Sequence, residues 1–110
     1  MPKTLTFEEL RRSETASLFE GKDHGTSVTF FVVRAPAGRG PSLHLHPYEE
    51  TFVVEQGTAT FTVGEATVEA EAGQILVVPA HTPHKFLSTG DGVHLLGIHA
   101  SDRLIQEDVE

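Results

Sequence analysis

The sequence predicts an all-β domain, and three observations carry that reading. Short runs of β-branched and aromatic residues recur from Val28 onward, turn residues separate them at short intervals, and two of the runs alternate apolar with polar side chains at period two. Many short strands with regular turns build a sandwich or a barrel. At 110 residues the chain is one domain with a single hydrophobic core. It divides into an N-terminal helix/strand extension over 1–25, a barrel core over 26–100 and a tail over 101–110.

The elements follow in order. Phe7–Arg12 predicts a short helix, with Thr6 as its cap and Glu9 closing a capping box three residues later. Strands are expected at Val28–Val33, Glu50–Glu55, Ala59–Val63, Ala66–Ala70, Gln74–Val78, Lys85–Leu87 and Val93–Leu96. Gly57, Gly64-Glu65, Gly73, Pro79 and Gly90-Asp91-Gly92 supply the turns between them. The tail Asp102–Glu110 reads equally as an edge strand, a helical turn or a frayed end.

Strand parity assigns faces. Glu50, Phe52 and Val54 share one face, and the two apolar members make that face the interior. Glu50 therefore points inward as well, which is costly for an unpaired carboxylate. His44 and His46 share parity on the preceding segment, as do His84 and Phe86 on a later one. Phe30, Phe52, Phe61 and Phe86 are core candidates.

Composition removes several function classes. The chain has no cysteine, so disulfides, thiolate catalysis and cysteine-ligated zinc or iron–sulfur sites are out. The net charge of −8, with scattered basic residues, argues against nucleic acid. No apolar run reaches the ~18 residues of a membrane span. The N-terminus has no continuous apolar stretch of the secretory kind, so a cytoplasmic location is expected.

The chemistry concentrates in His44-Leu45-His46, Glu50 and His84. Imidazole and carboxylate together suit first-row divalent metals, and a set of three histidines and one carboxylate leaves roughly two positions open on an octahedral ion. Such an ion polarises a substrate or activates bound water.

The arrangement resembles the cupin superfamily. Gly38, five residues, His44-x-His46, three residues, Glu50, six residues and Gly57 match its first motif; Gly73, five residues, Pro79 and then His84 match the second. The second motif departs from the family pattern at His81, where glycine is favoured, and at Ser88, where asparagine is favoured. The resemblance implies a small double-stranded β-helix barrel of the jelly-roll-like kind. It implies one divalent transition metal (iron, manganese, nickel, zinc or copper) on His44, His46, Glu50 and His84. It also implies oxygenation of a small organic substrate, as in quercetinase-like and related small cupins. Isomerisation, or a non-catalytic small-molecule-binding or sensor role, is the alternative.

In the enzymatic reading Glu50 doubles as ligand and proton acceptor, and His81 is the candidate accessory base. A loop histidine satisfied by backbone is the plainer reading of His81. Glu49 has the opposite parity to Glu50 and is expected in solvent. His94 and His99 fall on opposite sides of one strand, so at most one lines the pocket. Tyr48 is expected to pack, or else to sit on the pocket rim. Val28–Val33 and Ile75–Val78 are apolar on both faces, which predicts a homodimer covering the outer one.

Overall fold

The structure is a computed structural model describing residues 2–110. Eight strands form one curled sheet: β1 (Ala16–Glu20), β2 (Thr29–Ala35), β3 (His44–Leu45), β4 (Glu50–Val63), β5 (Ala66–Glu71), β6 (Ile75–Val78), β7 (His84–His99) and β8 (Glu107–Asp108). A single 3₁₀ turn, Gly21–Asp23, interrupts the series. The expected all-β barrel is what the chain forms.

The expected helix at Phe7–Arg12 is replaced by one turn. The capping box is made, with the Thr6 N–H donating to Glu9 Oε2 (2.6 Å) and the Glu9 N–H to Thr6 Oγ1 (3.2 Å). The following bonds, Leu10 N–H to Phe7 O and Arg11 N–H to Glu8 O, span only three residues. Arg11 then bridges to Ser17 at the start of β1. One turn returns too few hydrogen bonds to continue as a helix against strand pairing.

Two expected turns are bends inside long strands. β4 and β7 pair antiparallel over almost their whole length, from Glu50 opposite His99 to Val63 opposite His84, with register shifts near Val54/Gln56 and Gly57/Thr58. Gly57 and Gly92 have positive φ (77° and 105°), and a Cβ on Gly57 would stand 1.9 Å from the Gly92 carbonyl oxygen. Glycine at these positions marks a bulge with close backbone approach rather than a chain reversal.

The interior lies between the curled walls. Val33, Phe52, Val54, Phe61, Val78, Phe86, Val93 and Leu95 form its buried cluster. Phe61 meets Phe52 and Phe86 at ring centroids 4.9 and 5.4 Å apart, the spacing of favourable aromatic pairs. The inward parity of Glu50, Phe52 and Val54 holds, all three being buried. The outer face of β2 is partly covered within the chain, since Phe30 stacks on Phe19 of β1 at 4.8 Å. β6 is different: Ile75 and Val77 are 66% and 60% exposed. The tail forms the edge strand β8, which pairs with β3.

Candidate metal centre

His44 opens β3 directly opposite His84, the first residue of β7. His46, Tyr48 and Glu50 continue the same parity, and all five side chains are buried. One donor atom from each of His44, His46, Glu50 and His84 lies within 4.8 Å of the other three. The four residues expected as ligands therefore meet at one place.

Hydrogen bonds to backbone set the rings. The Nδ1 atoms of His44, His46 and His84 lie 2.7, 2.8 and 2.8 Å from the carbonyl oxygens of Ser42, Ile105 and Thr82. A carbonyl only accepts, so each Nδ1 carries the proton and, in a neutral ring, each Nε2 presents a bare lone pair. The same outer-sphere arrangement commonly orients metal-ligating imidazoles.

A divalent cation fits this cluster. His46 Nε2 and His84 Nε2 each lie 3.1 Å from Glu50 Oε1. His46 Nε2 is buried and has no aligned hydrogen-bond partner. Protonating all three rings would pack three imidazolium groups, with ring centroids 4.4–5.2 Å apart, around one carboxylate. One anion cannot balance three cations in a dry site, whereas neutral rings and a carboxylate suit a divalent ion.

Burial alone would raise the Glu50 carboxyl, but contacts with His46, His84 and His99 outweigh it and hold the group well below the usual carboxylate range. Burial lowers His44. It would also lower His84, yet the contact with Glu50 prevails and His84 is raised. The pull between these neighbours is the signature of one shared site.

The cluster stands at the wall of a cavity of about 400 Å³. Phe31, Val33, Phe52, Phe86 and Leu95 give it apolar lining, His44, Glu50 and His99 line it beside the cluster, and Arg12, Arg39 and Gln106 add polar lining elsewhere. That mixture is typical of a small-molecule site.

His81 stands apart. It is exposed, does not line the cavity, and gives its backbone N–H to the His46 carbonyl at 2.8 Å. Its φ of 62° is the only positive value on a non-glycine among the described residues. The family's glycine preference there is thus a backbone requirement, and the accessory-base role expected for His81 finds no support in this placement. Glu49 is exposed, and His94 points away to Arg34 Nη1 (3.1 Å).

Of the pair His94 and His99, left open from the sequence, His99 is the one at the site, and Gly97, Ser88 and Ile105 contribute without having been assigned a role. His99 is 1% exposed, and its Nε2 lies 3.1 Å from Glu50 Oε2. Gly97 makes room for that carboxylate. Ser88, at the family's asparagine position, ties the loop before β3: its Oγ accepts from the Arg39 N–H (2.9 Å) and lies 2.6 Å from Pro36 O. Ile105 fixes His46 from the tail. Ile105 acts through its backbone carbonyl, for which its residue type gives no signal.

Comparison with known proteins agrees with this fold. The family model described as "Cupin domain" matches residues 30–98. An uncharacterized protein of Streptomyces coelicolor, SCO3923, is 33% identical over 75 residues, 68% of this chain and 70% of its own length. Oxalate decarboxylase from Bacillus subtilis at pH 4.6 superposes with a TM-score of 0.85 at 16% identity, over 96% of this chain and 31% of that one. Another structure of Bacillus subtilis oxalate decarboxylase, studied for its Mn(II) centres, gives a TM-score of 0.78 at 22% identity, over 89% of this chain. This chain spans less than a third of those two structures, 31% and 29% respectively.

Proposed function

The chain belongs to the cupin family, and from that membership and its buried cluster we propose that it is a divalent-metal-dependent enzyme acting on a small, partly apolar organic molecule, with oxygenation as the reaction class. The observation that carries the reading is the convergence of His44, His46, Glu50 and His84, of which His44 and Glu50 line an accessible cavity. A structural metal site needs no such opening; a catalytic one does.

The four residues would hold the ion, which supplies Lewis-acid polarisation of a substrate oxygen. The rest falls to the chain's own groups. The apolar walls exclude water and orient the hydrocarbon part of the substrate. Glu50 would accept a substrate proton only as a weak base, since its neighbours hold its carboxyl well below the usual range. His44, with its Nδ1 proton committed to Ser42 O, keeps its ring orientation as substrate enters.

The first test is elemental analysis of protein purified without added metal, followed by oxygen uptake with catechol-type and diketone substrates. Stoichiometric metal with uptake abolished by His46→Ala is expected. Metal without turnover of any substrate would make the protein a binder or sensor; no metal at all would end the reading.

A homodimer belongs to the same proposal, supported by the outward side chains of Ile75 and Val77 on β6. Light scattering should give twice the chain mass at micromolar concentration, and Val77→Glu should halve it. A monomer before substitution would refute the dimer.

A further inference from the structure

His99 sits against the metal cluster yet differs from its histidines in one respect. Its Nδ1 faces a phenol, not a carbonyl: Tyr48 Oη lies 2.5 Å away. The same Oη receives the Ile105 N–H at 3.3 Å. A backbone N–H only donates, so the phenol proton stays free, and among the described residues His99 Nδ1 is its acceptor. His99 Nδ1 is then bare and its ring proton resides on Nε2. His44, His46 and His84 hold the reverse arrangement.

The consequence falls on Glu50. His99 Nε2 lies 3.1 Å from Oε2, while His46 and His84 approach Oε1 at the same distance. The approach from His99 is oblique, its nitrogen having no well-aligned partner, so the contact orients more than it binds. The two carboxylate oxygens are thereby made unequal.

We propose that His99, held by Tyr48 in the tautomer with its proton on Nε2, is a positioning residue of the centre: it engages Glu50 Oε2 and leaves Oε1 as the ligand oxygen. The proposal rests on the metal reading for its consequence, but not for the tautomer.

Two measurements separate those parts. Imidazole ¹⁵N shifts, recorded at mildly alkaline pH without metal and with Zn(II), should show His99 protonated on Nε2 and bare on Nδ1, opposite to His44, His46 and His84. A His99 protonated on Nδ1 overturns the proposal. Mn(II) affinity, read by titration, should fall about 10-fold in Tyr48→Phe, the usual cost of losing an outer-sphere partner. In a His99→Gln background, whose amide N–H needs no tautomer, the same Tyr48→Phe change should cost less than about threefold. Equal losses in both backgrounds would assign Tyr48 to packing and overturn the proposal. If Tyr48→Phe does not fold, His99→Gln is compared with His99→Leu; affinities as low in the first as in the second also overturn it. A wild-type protein binding neither Mn(II) nor Zn(II) removes the metal centre and the positioning role together, while the ¹⁵N spectrum still reads the Tyr48–His99 hydrogen bond.

Discussion

His84 and His99 are the first and last residues of one strand, yet each places Nε2 3.1 Å from a different oxygen of Glu50. A flat strand of that length would separate its ends by roughly 50 Å at ~3.3 Å per residue. The curl of β7 on β4, bent where Gly57 meets Gly92, brings both ends to the same carboxylate. Fold and site are thus one construction.

Gly97 is the tightest of these joints. A Cβ there would stand 2.5 Å from Glu50 Oε2 and 3.2 Å from the Phe52 ring. Gly97→Ala must displace the carboxylate or the ring. We expect a loss of about 1–3 kcal/mol in unfolding free energy, as for other overpacked cores. Mn(II) affinity should fall at least ~10-fold. Denaturant melts and metal titration measure the two effects; an unchanged affinity would show that Glu50 does not hold the ion.

Metal affinity should rise with pH. Glu50 is held low, so its contribution to stability is present above its unfolded value of about 4.3 and fades only as pH falls toward its folded value. His84 is raised, so its contribution is complete below its unfolded value of about 6.5 and lost as pH climbs through the folded one. His44 is lowered, so below about 6.5 it works against the folded state. Metal needs all three rings neutral, and His84 is the ring whose proton is retained to higher pH. Log affinity for Mn(II) should therefore climb by about one proton's worth around the raised His84 value, with Glu50 adding nothing there. Calorimetric titration in buffers from about pH 6 to about pH 8 checks this, and a flat profile would contradict it.

His81→Gly should stabilise the protein. The left-handed backbone at φ 62° costs an L-residue roughly 1 kcal/mol that glycine does not incur. Thermal melting should shift upward, while Mn(II) affinity stays the same because His81 does not line the cavity. Weaker metal binding in this variant would give His81 a role at the centre.

Ser88→Ala should destabilise more than its size suggests. Ser88 is 1% exposed, and its hydroxyl accepts from the Arg39 N–H and donates to the Pro36 carbonyl. Leaving such groups unpaired costs about 1–3 kcal/mol. Ser88→Asn, the family's preferred residue, should lose less if its amide reaches the same partners. Chemical denaturation of the two variants decides this; equal losses would show that volume, not hydrogen bonding, governs the position.

Much was legible in the chain alone. The all-β class followed from period-two runs and turn residues, and the inward face of Glu50 followed from its parity with Phe52 and Val54. The spacing of His44, His46, Glu50 and His84 identified the cluster before any fold was known. Each is a local property, because alternation and spacing act over a few residues where chain geometry is nearly fixed. What the tertiary structure alone decided was non-local. It turned the glycines at 57 and 92 into bends of two continuous strands, and it laid the tail over β3 so that Ile105 holds His46. It left His81 exposed and off the cavity lining, and it brought His99 to the cluster through the curl of β7. Those outcomes depend on register between segments tens of residues apart, and pairing energy there is set by the curled sheet as a whole rather than by any residue's own preference.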